Sequence, residues 1–96
     1  MSFLQKIWAW SIMGNVWLWF HISGGGCGAK AFNLYLDKLE SLLLLFAITI
    51  LWEVFEFFWD GGIKGMIKIY GSLERWAYDS AGDIIGAMLM GIVVII

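Results

Sequence analysis

The sequence has no proline, one cysteine and one histidine, and only 15% of its residues are charged. Without proline, nothing in the chain removes a backbone N–H or forces a kink, so long helices are open to it. A lone Cys27 excludes an internal disulfide, and no Cys/His pair has the spacing of a zinc site. Six Lys+Arg against eight Asp+Glu exclude the basic surface that nucleic acid requires. The shortage of charge also argues against a soluble domain: with 61% hydrophobic residues in a 96-residue chain, too little polar surface exists to cover it. What the chain has instead is seven tryptophans, seven phenylalanines and long aliphatic runs. These properties predict one all-α integral membrane domain over residues 1–96, because helices satisfy their own backbone hydrogen bonds in lipid.

Three spans are expected, at about 3–22, 37–59 and 73–96, each near the roughly 20 residues that cross a bilayer core. In the first, Lys6 and the apolar stretch Ile7–Ile22 resemble a signal peptide, but no Ala-x-Ala site follows and the segment reads as a retained span. Trp8 and Trp10 lie toward one of its ends and Trp17 and Trp19 toward the other, as expected of indoles at two interfaces. His21 is expected at the far interface, away from the acids. Ser23–Lys30, with four glycines, reads as a flexible connector; it lacks the Gly-Lys-Ser/Thr ending and preceding strand of a phosphate-binding loop. Asp37 with Glu40 fits a capping box that opens the second span. Gly61-Gly62 ends it. Residues 63–70 follow as a short amphipathic helix, with Ile63, Met66, Ile67 and Tyr70 on one face and Lys64 and Lys68 on another, suited to the membrane surface or to a docking partner. Ser72 is positioned to cap the third span, with Glu74 in its first turn. Lys6, Lys64, Lys68 and Arg75 fall on one side against Lys30 and Lys38 on the other. The positive-inside rule then places the N-terminus in the cytoplasm.

The functional signal is acid inside these spans. Glu53 and Glu56 lie on one face of the second, sharing a stripe with Thr49, Trp52 and Asp60; Asp79 and Asp83 lie on one face of the third, with Gly82 and Gly86. Gly82-x-x-x-Gly86 is a small-residue motif that admits another helix at close range. Antiparallel packing of the two spans brings all four carboxylates to similar depth, as a rise of roughly 1.5 Å per residue requires. Four ionised carboxylates cannot share such a patch unaided. Protonation, a divalent cation or Arg75 would neutralise them, and an all-carboxylate shell suits Mg²⁺, Ca²⁺ or Mn²⁺. A plain alternative is a packed polar network bonded to Thr49, Ser80, Tyr78 or indole N–H groups. No nucleophile–base pair is visible, since Ser80 beside Asp79 has no histidine in reach of it by sequence.

Trp52-Glu53-x-x-Glu56 followed by Trp76-x-Tyr78-Asp79-x-x-x-Asp83-x-x-Gly86 resembles the C-terminal portion of the YjdF-like family of small inner-membrane proteins. More distantly it is similar to VanZ-like membrane proteins, in which an acid on one span faces an Asp-x-x-x-Asn/Asp-x-x-Gly motif on the next. The resemblance covers the second half of the chain and implies that Glu53, Glu56, Asp79 and Asp83 are the positions of interest. It implies an inner-membrane location, a shortened member of families that have more spans, and, through the VanZ-like proteins, an association with glycopeptide resistance. The leading expectation is an accessory subunit, working with other membrane chains, whose acids bind a divalent cation or share protons. Two others stand beside it: metal-dependent chemistry on a lipid-linked phosphate received by Lys64, Lys68 or Arg75, and a role in ion or proton transport.

Overall fold

The computed structural model describes all residues, Met1–Ile96, and contains helices only. Helix α1 (Phe3–Lys6) opens with a capping box between Ser2 and Gln5 and runs directly into a π-helical segment, Ile7–Met13. The chain breaks over residues 14–17 and resumes as α2 (Leu18–Phe32). Helix α3 (Lys38–Trp59) starts at the Asp37/Glu40 capping box, α4 (Gly62–Tyr70) follows after one turn, and α5 (Leu73–Ile95) starts where Ser72 Oγ accepts the Arg75 N–H. Gly61 and Gly71 flank α4 at φ of 104° and 93°, left-handed values that glycine adopts without a Cβ clash. Helices therefore occupy the stretches expected as second span, surface helix and third span, within a few residues of the expected limits. Helices α3 and α5 are long and apolar enough to cross a membrane.

The first stretch differs from expectation. It forms no single helix over 3–22, and the expected connector Ser23–Lys30 lies wholly within α2. The reason is steric. A Cβ added to Gly25 would stand 2.1 Å from the Ala87 carbonyl oxygen, so the backbones of α2 and α5 touch there. Glycines that suggested a loop instead form a contact face, and Ala29 continues it one turn later, against Gly91.

Residues 3–32 run parallel to α5 along its length. Lys6 pairs with Glu74, the Ser11 hydroxyl donates to the Tyr78 carbonyl at 2.6 Å, and Gly26 lies against Met90. Gly82 and Gly86 do admit a neighbour, but that neighbour is the first stretch rather than α3: a Cβ on Gly82 would meet the Ser11 oxygen at 2.6 Å, and one on Gly86 would meet Leu18 at 3.0 Å. Helix α3 crosses α5 antiparallel, with the Phe57 and Trp76 rings 5.0 Å apart at one end and Leu45 against Gly91 toward the other. A small apolar core of Ala29, Leu45 and Ile95 lies at this second end.

Burial is inverted relative to a soluble protein. Only 16 of 96 residues are buried, and the seven polar ones among them, including Asn15, Glu53 and Asp83, outnumber the six hydrophobic ones. Phe55, Phe58 and Trp59 on α3 are all exposed. Two buried acids thus lie inside and the large aromatics of α3 outside, the reverse of the usual soluble arrangement.

Candidate functional site

The buried face of α3 repeats every four residues: Ser41, Leu45, Thr49, Glu53. Four-residue spacing stays on one side of a helix, so the only carboxylate in that series is carried inward with its neighbours. On α5 the buried face contains Ser80, Asp83, Ala87, Gly91 and Ile95. The antiparallel register brings Glu53 and Asp83 together, 7% and 3% exposed.

His21 joins them. Its Nε2 is 3.4 Å from Asp83 Oδ2, and the donor atoms of His21, Glu53 and Asp83 all lie within 4.8 Å of one another. The expectation that His21 sits at the opposite interface is thus overturned. The break at 14–17 and the start of α2 place it level with the acids, whereas a continuous helix from residue 3 would carry it elsewhere. Three helices, α2, α3 and α5, each contribute one group.

Asn15 was not anticipated. It occupies the break, is 4% exposed, and donates through Nδ2 to Asp83 Oδ1 at 2.7 Å and to the Asp79 carbonyl at 3.1 Å. A carboxamide in the middle of an apolar stretch, four residues after Ser11, was the available signal, because polar groups in such a stretch face protein rather than lipid. Asn15 holds one oxygen of Asp83 and leaves the other toward His21. Glu53 Oε1 and Ser80 Oγ, by contrast, are buried with no hydrogen-bond partner. Native structures leave few such atoms unpaired.

Glu56 and Asp79 are half-buried and lie beside this centre, along a cavity of about 730 Å³. Trp17, Phe20 and Trp52 form apolar walls; Asp60 and Tyr70 line it too, and Asp83 and His21 reach it from within. Tyr70 belongs to α4, which Met66, 1% exposed, anchors to the rest of the fold. Burial pushes the Tyr70 hydroxyl up to about 12, and the charges of Asp79 and Glu56 push it the same way. It therefore faces the acids as a neutral O–H at ordinary pH.

The remaining expected partners lie apart. Lys64, Lys68 and Arg75 are exposed and none lines the cavity. Arg75 makes no ion pair with Asp79; the ion pairs are Lys6–Glu74 and His21–Asp83. The Thr49 hydroxyl donates to the Phe46 carbonyl rather than to an acid, while Asp83 takes a hydrogen bond from Asn15 and an ion pair from His21 that were not expected. Three donors at this spacing can surround one small cation, or pass a proton between two carboxylates and an imidazole. No protein-family model, curated protein or solved structure matches this chain.

Proposed function

We propose that the chain is an integral membrane protein with three crossings, the first made by the broken stretch 3–32, and that its buried acid cluster binds a divalent cation or shares protons. Support for the first crossing is its course beside α5 from Lys6–Glu74 to Ala29–Gly91. Non-helical backbone at membrane depth is tolerated where it is covered by protein or lines a cavity; Asn15 is buried and Trp17 lines the cavity, while Val16 between them faces outward. The positive-inside balance gives a cytoplasmic N-terminus in a cell inner membrane.

The observation that carries the reading is the partnerless Glu53 oxygen buried beside Asp83. Two ionised carboxylates about 5 Å apart repel by roughly 3 kcal/mol at an effective dielectric of about 20, so a cation or a proton has to intervene. Its small buried interior and exposed aromatic face suit an accessory subunit that packs against other membrane chains, as does the resemblance to YjdF-like and VanZ-like proteins, which have more spans.

Purification in detergent, elemental analysis and identification of co-purifying chains test this. Wild type is expected to hold about one metal ion per chain that Glu53→Gln with Asp83→Asn abolishes, or else to be metal-free with a stability that varies with pH in wild type and not in the double variant. A metal-free protein whose stability responds to neither pH nor the double substitution refutes both. A chain that purifies alone and monomeric refutes the subunit role.

A further inference from the structure

We infer that His21, Glu53 and Asp83 form a three-ligand mixed nitrogen–oxygen centre for a first-row transition-metal dication, with its open coordination positions facing the cavity. This rests on the cation-binding form of the proposed function and changes the ion expected from the acids alone.

Four carboxylates with no nitrogen would select a hard ion such as Mg²⁺ or Ca²⁺. The fold brings two of the four within 4.8 Å of an imidazole nitrogen, from the helix that follows the break at 14–17, and leaves Glu56 and Asp79 beside them along the cavity. Imidazole raises preference along the series from Mn²⁺ to Zn²⁺, whereas Mg²⁺ and Ca²⁺ favour oxygen alone. Charge agrees with this. Two carboxylates and a neutral imidazole offset a dication, leaving no net charge among the ligands themselves. Glu56 and Asp79, which would carry the sum to an excess of negative charge, remain outside the 4.8 Å group on the wider cavity.

Orientation agrees as well. A metal-ligating carboxylate is commonly fixed through its second oxygen by an outer hydrogen bond. Asn15 supplies that bond to Asp83 Oδ1, while Oδ2 turns to His21 Nε2. Glu53 Oε1, buried and unpartnered, is the acceptor that lacks a donor. Three protein ligands leave at least one coordination position free, and because His21 and Asp83 both line the cavity, that position is reachable from it. Asp60, Glu56 and Asp79 along the same cavity give an arriving cation a negatively charged approach.

The test is equilibrium dialysis of the full detergent-solubilised chain against Mn²⁺, Co²⁺, Zn²⁺, Mg²⁺ and Ca²⁺ separately, with Co²⁺ also followed by its visible absorption. Co²⁺ and Zn²⁺ are expected to bind at one per chain and at least about tenfold more tightly than Mg²⁺ or Ca²⁺. His21→Gln should lose that preference and the Co²⁺ absorption, and Asn15→Ala should weaken Co²⁺ by about 10- to 100-fold without moving the band of a nitrogen ligand. Wild-type selectivity stands as evidence even where a variant fails to fold. Preference for Mg²⁺ or Ca²⁺, or Co²⁺ binding unaltered in a folded His21→Gln protein, overturns the mixed centre and leaves cation binding by the acids intact. Absence of any bound dication overturns the centre together with the cation reading, and leaves only proton sharing.

Discussion

Asn15 does the work that four acids at helical spacing could not do alone, because it fixes which oxygen of Asp83 remains available. Removing it strands Asp83 Oδ1 in a buried site. Hydrogen bonds between helices in folded membrane proteins are worth about 0.6 kcal/mol on average and up to about 1.7. Asn15→Ala is therefore expected to destabilise the protein by about that amount in denaturant titrations from detergent micelles. Asn15→Asp should cost more, since it replaces the donor by a further negative charge. Tyr70 gives a second prediction at this scale. Its folded-state value of about 12 stands above the ordinary 10.0, so the folded chain keeps a proton that the unfolded chain loses. Stability contributed by the neutral hydroxyl is complete below pH 10 and is lost as pH rises toward about 12. Tyr70→Phe should flatten that part of the stability profile, and a profile identical to wild type across the window would contradict the burial of this hydroxyl.

Among the elements, α2 is where glycine pattern and structure diverge most, and its neighbouring glycines make the difference measurable. Gly25 has the Ala87 carbonyl where its Cβ would be, whereas Gly24 has nothing within 4 Å. Gly25→Val should push α2 off α5 at a cost of about 1–3 kcal/mol, the usual range for overpacking. Gly24→Ala should be neutral or stabilise by up to about 1 kcal/mol through helix propensity. If both substitutions behave as loop changes, with little effect, α2 is not helical there. Helices α3, α4 and α5 were legible in the sequence because each carries its own punctuation: the Asp37/Glu40 box, the glycines at 61 and 71, and Ser72. The meeting of Glu53 with Asp83 was legible too, since it follows from a hairpin and a rise per residue. The partner of Gly82 and Gly86 was not, because a small-residue motif says that something approaches and not what. His21 was hidden for a related reason: its depth depends on where the helix breaks, and a stretch with no proline gives no mark of a break. Gly14-Asn15 was the only local hint.

For the molecule as a whole, the principal axes measure 41 × 28 × 17 Å, and the longest suits a hydrocarbon core of about 30 Å with its interfaces. One end holds Lys6, Glu74 and α4 with its two lysines; the other holds the α2–α3 connection, including Tyr35, which is 90% exposed. Cys27 is the sole cysteine and is itself exposed, so Cys27→Ser provides a background in which introduced thiols report on one position at a time. With the N-terminus in the cytoplasm, Tyr35→Cys should react with a membrane-impermeant maleimide in intact cells. Lys64→Cys and Lys68→Cys should react only after permeabilisation. The reverse pattern would invert the protein and set the charge balance aside as a guide to its orientation. Equal reaction of all three in intact cells would mean that α3 does not cross, and the acids would then lie in a surface groove, where water could solvate their charges without a metal or a shared proton.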